Sequence, residues 1–316
     1  MQSERNGTSN PAGNAQHLMI VGNGFDLHHG LETKYENYEE WLKENDFQLY
    51  EQFNDFEYLN SKGDPSLWSE LENSLGIDWG GLCEDVLSTT YPNLSDDHPG
   101  WDDFWIELEL RLHFLRMITR DRFREWIGSI DVCRAKPCVR LPEDALFVTF
   151  NYTLTLESVY GIPRDSILHL HGSLADDCDS LLQFGSPQNR PDGVVDILER
   201  KYGMDDLYGA SIQQGASVAA DQCAYTWKNI DANCPPLKEF LKQSPKIKTV
   251  IIMGNTYDGV DEPYYCNVLA PLFRNAEWVF CEYEPNHMCQ MGIDRFCNRL
   301  GIANYRMTGY EEFDLS

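Results

Sequence analysis

Basic residues are scarce in this 316-residue chain: 25 Lys and Arg stand against 51 Asp and Glu, a formal net charge of −26. A protein that grips a phosphodiester backbone needs clustered cations to displace counterions, and docking on an anionic membrane needs the same. The charge therefore argues against direct nucleic-acid binding and disfavours docking on an anionic membrane, but leaves open a small nucleotide held by backbone amides at a helix N-terminus. No hydrophobic run approaches the ~20 residues of a membrane helix. The first sixteen residues lack the apolar core of a secretory signal, so a loose, disordered N-terminal arm (residues 1–16) and a cytoplasmic address are expected. Ten cysteines are scattered with no C-x-x-C pair, which argues against a zinc module or a disulfide scaffold and for reduced thiols.

Hydrophobic residues make up 42% of the chain and aromatics 12%, enough for a sizeable core. Short apolar runs at His17–Val21, Ala145–Phe150, Ser166–His171, Lys248–Met253 and Trp278–Cys281 have the length and composition of strands. Between the first two, roughly residues 34–140, aromatic and aliphatic side chains recur at helical spacing, interrupted at Gly63-Asp64-Pro65, Gly80-Gly81 and Ser95–Gly100. A second, more polar stretch covers about 174–246. Helices are expected at Leu154–Tyr160, Pro263–Phe273 and His287–Leu300. Apolar strands alternating with helices indicate a mostly parallel sheet with helices on both faces, within a single domain spanning residues 17–316 and carrying two insertions.

Four of the strands end in polar or glycine-rich turns: Gly22-Asn23-Gly24, Asn151-Tyr152, His171-Gly172 and Gly254-Asn255-Thr256. In open α/β sheets ligands bind outside the carboxyl ends of the strands, so these turns are candidates for one nucleotide pocket. The strict dinucleotide fingerprint G-x-G-x-x-G is missing because Leu27 stands where its third glycine would be; the next glycine is Gly30. What remains is a strand, a Gly-x-Gly turn and a helix start, an arrangement that can present amides to a phosphate.

The segment Gly22 to Tyr35, G-N-G-F-D-L-H-H-G-L-E-T-K-Y, resembles the opening motif of the AbiH bacterial abortive-infection family. It also overlays the G-A-G-x-S-x-x-S-G-I-P loop of sirtuins, with Asp26 at the first serine, Gly30-Leu31 at Gly-Ile and Glu32 at the proline. Thr149-Phe150-Asn151-Tyr152-Thr153 is similar to the sirtuin T-Q-N-[IY]-D, Leu170-His171-Gly172-Ser173 to the H-G turn, and Gly254 to Val260 to G-[TH]-S-L-x-x-V. The AbiH resemblance extends to Leu67–Glu72 and Val260–Tyr264. Together these imply a sirtuin-like, Rossmann-like α/β fold with a large helical insertion, and an antiphage protein that cleaves the nicotinamide–ribose bond of NAD. The resemblance gives catalytic roles to Asn151, which orients the ribose or water, and His171, the general base. It gives NAD contacts to Gly22, Asn23, Gly24, Phe25, Asp26, Gly30, Tyr152, Gly172, Gly254, Asn255 and Thr256. No metal is implied. NAD or a related ADP-ribosyl nucleotide is the expected partner, with gating by a homo-oligomer or a phage-derived trigger. Departures from sirtuins bear on the chemistry: residues 174–246 offer only isolated Cys178, Cys223 and Cys234 in place of two C-x-x-C pairs, Thr153 replaces an Asp, and Asp26 puts a carboxylate where a hydroxyl is usual. The alternatives are a non-catalytic NAD or ADP-ribose sensor and, third, a metal-dependent nuclease or phosphatase.

Plainer roles compete with these. Asn151 could cap the following helix. His169 is expected to be a satisfied core residue, and His28 and His29 to be surface residues of a first helical turn. Trp68, Trp79, Trp101 and Trp105 are expected to pack the helical insertion, and Glu70 and Glu72 to face solvent. Ser173 has only His171 nearby, which does not make a hydrolytic triad.

Overall fold

The computed structural model describes residues 14–59, 62–64, 66–90, 100, 102–176, 182–202, 209–257 and 259–313. Most of the expected N-terminal arm, the 95–99 part of the Ser95–Gly100 break, Trp101, Cys178 and Asp258 lie outside these residues. Six strands, β1 His17–Val21, β2 Ala145–Thr149, β3 Ile167–His169, β4 Thr249–Met253, β5 Glu277–Glu282 and β6 Tyr305–Gly309, form one all-parallel sheet in the order β3-β2-β1-β4-β5-β6. This is the order of the doubly wound dinucleotide-binding folds, in which the winding reverses between the first and fourth strands. The α/β class and the parallel sheet agree with the sequence reading. The sixth strand does not: the polar Tyr305–Gly309 lacks an apolar run because it is a partly exposed edge.

The strands read as continuous apolar runs because both faces of the sheet are covered. Leu18, Ile20, Leu146, Val148, Val250, Ile252, Trp278 and Phe280 point to one face and pack with residues of the helices Ile230–Leu241 and His287–Leu300. Their neighbours Met19, Val21, Phe147, Ile251, Met253 and Val279 point to the other, where Phe25, Val139 and Leu156 join them.

The described residues fall into two compact units. One, from within Met1–Glu32, Ile130–Ala175 and Ile230–Ser316, contains the whole sheet; the other, from within Thr33–Ser129 and Asp176–Asn229, is helical. The two expected insertions thus supply the second unit, but residues 130–140 and 230–246 remain with the sheet. The reason is apolar: Val139 belongs to one sheet-face cluster, and Ile230, Leu237, Phe240 and Leu241 belong to the other.

In the helical unit aromatic packing dominates. The Phe123 and Phe184 rings stack at 4.2 Å, and the buried Tyr38 stacks on Trp126 at 5.0 Å while donating to the Ile118 carbonyl at 2.6 Å. Trp68 and Trp79 are buried there, as expected of packing residues. Glu72 departs from expectation. It is buried, and its Oε2 accepts from the fully buried Lys228 Nζ at 2.7 Å, an ion pair closed within this unit. No helix among the described residues is long and apolar enough to cross a membrane.

Removing one partner of a buried pair strands the other charge, typically at 3–5 kcal/mol. Lys228→Met is therefore expected to cost about 3–5 kcal/mol in urea unfolding, and Lys228→Met/Glu72→Leu to recover most of that loss.

Candidate functional site

The site is set by register. Val21 lies opposite both Thr149 and Met253, so β2, β1 and β4 end at one level, and the turns that follow them emerge side by side. Thr149 in turn pairs with His169, which brings the β3 turn to the same edge. All four motif turns therefore lie on the carboxyl edge of the sheet, with the β1 and β4 turns flanking the reversal of winding.

The β1 and β4 turns touch backbone to backbone. Gly22 N–H donates to the Met253 carbonyl at 3.1 Å and Gly24 N–H to the Gly254 carbonyl at 2.8 Å. A Cβ on Gly22 would fall 2.6 Å from Asn255 Cα, one on Gly24 2.8 Å from Gly254 Cα, and one on Gly254 2.1 Å from the Phe25 nitrogen. These glycines are thus required by the approach of one turn to another. The amides expected to face a phosphate are used inside the protein, and Phe25 N–H is likewise taken, by the Gly22 carbonyl. The Phe25 side chain, expected at the ligand, is buried in the sheet-face cluster. Gly30 (φ 75°) lies just after the helix Asn23–His28 and is exposed. Asn23 and Thr256 are exposed on this edge, and Asn255 is half-buried, its Oδ1 accepting from Tyr265 Oη at 2.5 Å.

Asp26 links the β1 turn to the β2 turn. Its two oxygens accept from Thr153 Oγ1 and Thr155 Oγ1, each at 2.6 Å. Burial pushes its carboxyl up from 3.8 to about 6, against the hydroxyls of Thr153 and Thr155 and the Asn151 side chain, which favour the ionised form. Both carboxyl oxygens are thus hydrogen-bonded within the protein. Asn151 is not a helix cap, since the N-cap of the next helix, Thr155–Tyr160, is Leu154. Its Nδ2 donates instead to the Gly22 carbonyl at 3.0 Å, and its own N–H to Thr149 Oγ1 at 3.1 Å.

The two histidines of the third motif have different surroundings. His169 is the satisfied core residue expected: its Nδ1 lies 3.1 Å from the Asn151 carbonyl and its Nε2 3.0 Å from Glu157 Oε1. Burial pushes the Glu157 carboxyl up, but bonds from His169 and Arg164 outweigh it and hold the group below its usual range. His171 lies beyond the end of β3, where Gly172 (φ 82°) turns the chain. Its buried ring is walled by Phe150 (5.2 Å), Tyr152 (6.4 Å) and Tyr264 (5.7 Å), and its Nε2 lies 3.6 Å from Asp261 Oδ1. Asn151 and His171 thus occupy turns after neighbouring strands, and Phe150 and Tyr152, which flank Asn151 in the chain, both face the His171 ring.

His29, expected at the surface, is half-buried. Its Nδ1 faces the Phe25 carbonyl at 2.7 Å and so carries the proton, leaving Nε2 to accept from Tyr160 Oη at 2.6 Å. Burial lowers its pKa. Asp261 and Tyr265 escaped the sequence reading as site residues. Asp261 lay in the quoted Val260–Tyr264 stretch, but nothing local to the sequence aims it at a histidine 90 residues earlier. Among the described residues no three His, Cys, Asp or Glu side chains converge as metal ligands.

A family model described as "Bacteriophage abortive infection AbiH" matches residues 18–282. No curated protein and no solved structure matches the chain.

Gly254→Ala, which combines a positive φ with a backbone collision, is expected to lower stability by roughly 2–5 kcal/mol in urea unfolding. Asp26 makes a pH prediction. Its folded pKa of about 6 exceeds 3.8, so between those values the folded protein holds a proton that the unfolded chain has released. Its contribution is full below the lower value and lost as pH rises through the higher one, on the order of 3 kcal/mol. Asp26→Asn should remove that part of the stability–pH curve; identical slopes for the two proteins would refute the assignment.

Proposed function

The chain belongs to the bacteriophage abortive infection AbiH family, and on that premise we propose that it acts in phage defence by hydrolysing NAD to nicotinamide and ADP-ribose. The observation that carries this reading is that the turns bearing Asn151 and His171 follow the neighbouring strands β2 and β3 at the carboxyl edge of a 3-2-1-4-5-6 sheet. In the reaction the bond between ribose C1′ and nicotinamide N1 breaks, and its electron pair stays on the departing neutral nicotinamide. A water oxygen bonds to C1′ and one proton is released. The transition state is oxocarbenium-like, so the leaving group needs no strong acid; a base near neutrality and a neutral polar group for the ribose suffice. His171 supplies the base and Asn151 the polar group.

Because the Gly22 and Gly24 amides are engaged with the β4 turn, the dinucleotide phosphates would be met by the exposed Asn23 and Thr256, with Asn255, Tyr152 and Gly172 along the same edge. The burial of His171 (2% exposed) and Asn151 (8% exposed) supports gating, since a substrate must open the site to reach them. That is the behaviour required of an activity harmful to its own host.

Nicotinamide release by the purified chain, with and without phage lysate, tests the reading. Asn151→Ala and His171→Ala are each expected to lower release by ~10²-fold or more. Calorimetric binding of NAD without release under any stimulus would replace the enzyme with a nucleotide sensor. Absence of both would end the proposal, and loss of activity with a chelator would move it to metal chemistry.

A further inference from the structure

We infer that Asp261 is the positioning residue of His171, forming with it a histidine–carboxylate pair that holds the ring in orientation and favours its protonated form as the base takes up a proton. The inference rests on the NAD-cleavage reading for its role and on geometry for its existence.

The geometry has three parts. First, His171 Nε2 and Asp261 Oδ1 are 3.6 Å apart with both residues buried, too long for a formed hydrogen bond but within ion-pair range. Catalytic contacts in a resting enzyme are often this loose and tighten when the substrate is bound. Second, Asp261 stands at the N-cap of the short helix Glu262–Tyr264, where an aspartate side chain ordinarily accepts from the following amides; here it makes no capping bond. Third, the surroundings force the approach. Gly259 (φ 71°) opens the 3-10 turn Gly259–Asp261, while Tyr264 on the following helix packs on the His171 ring and accepts from Asn233 Nδ2 at 2.9 Å. The segment that carries Asp261 is therefore anchored at a second point against the same ring.

The titratable side chains that face the His171 ring include Asp261 from the 3-10 turn after β4, Tyr152 from the β2 turn and Tyr264 from the helix; Phe150 closes a further side with an apolar wall. Asp261 brings a carboxylate to that set. A carboxylate beside a histidine favours the protonated ring, so its removal makes the ring harder to protonate. A base orientated by a third group is the general logic of histidine-assisted catalysis.

The test compares the wild-type full chain with Asp261→Asn and Asp261→Glu in two measurements. In nicotinamide release from NAD, Asp261→Asn is expected to lower kcat/KM by ~10²-fold and to move the acidic limb of the pH profile to lower pH, with Asp261→Glu restoring the limb. A residue with a merely structural role would lower activity without moving that limb. In an NMR titration of the His171 ring, assigned with His171→Gln, the midpoint is expected to fall in Asp261→Asn and to return in Asp261→Glu. Superposable limbs or midpoints for wild type and Asp261→Asn would overturn the inference. If the wild type releases no nicotinamide under any condition, the functional reading fails, and the ring titration alone decides whether the pair exists.

Discussion

Two turns that touch without side chains between them set the geometry of this protein's edge. Gly22 and Gly24 after β1 and Gly254 after β4 meet so closely that the backbone of one turn supplies the hydrogen-bond acceptors of the other. The contact lies at the reversal of winding, where the two halves of a doubly wound sheet would otherwise diverge. Closing the edge there lets the Asn151 amide reach the Gly22 carbonyl from the β2 side while Tyr265 holds Asn255 on the β4 side. Asn151 and Asn255 both take their positions from that junction.

A second layer of fixed polar bonds stands behind the candidate catalytic side chains. Asp26 is held by two threonine hydroxyls, and the Asn151 main chain is met by His169, which Glu157 and then Arg164 support. Arg164 continues to Ser173 Oγ at 3.0 Å, linking the helix after β2 to the turn after β3. This chain of polar bonds, with Arg164 exposed at its outer end, links the turns after β2 and β3 to one another. Polar residues near the motifs are thus largely engaged in bonds within the protein.

Much of the fold could be read from the sequence because a parallel sheet covered on both faces needs uninterrupted apolar strands, and five of the six have them. β6 was hidden by its edge position, which relaxes that demand. The four motif turns were visible because glycine and asparagine punctuate the strand ends. What could not be read was the use of each group. The Gly-x-Gly turn has one appearance whether its amides face a phosphate or a neighbouring carbonyl, and only the long-range pairing of β1 with β4 decides between them. Glu72 looked like a solvated acid because Lys228, its partner, stands 156 positions away. Asp261 is similarly distant from His171. Local pattern carries periodicity and punctuation; it does not carry the partner of a buried charge.

The two borders of the sheet differ in kind. β3 contributes three residues before Gly172 turns the chain away, so it offers almost no unpaired ladder to an incoming strand. β6 offers five, and it bears Arg306 near its middle, tied to Glu277 of the neighbouring strand at 3.1 Å. Edge cations of this kind discourage a foreign strand from adding to a sheet. Strand extension is thereby disfavoured at one border by shortness and at the other by a charge, a form of protection against aggregation suited to a protein whose sheet is otherwise composed of short apolar runs.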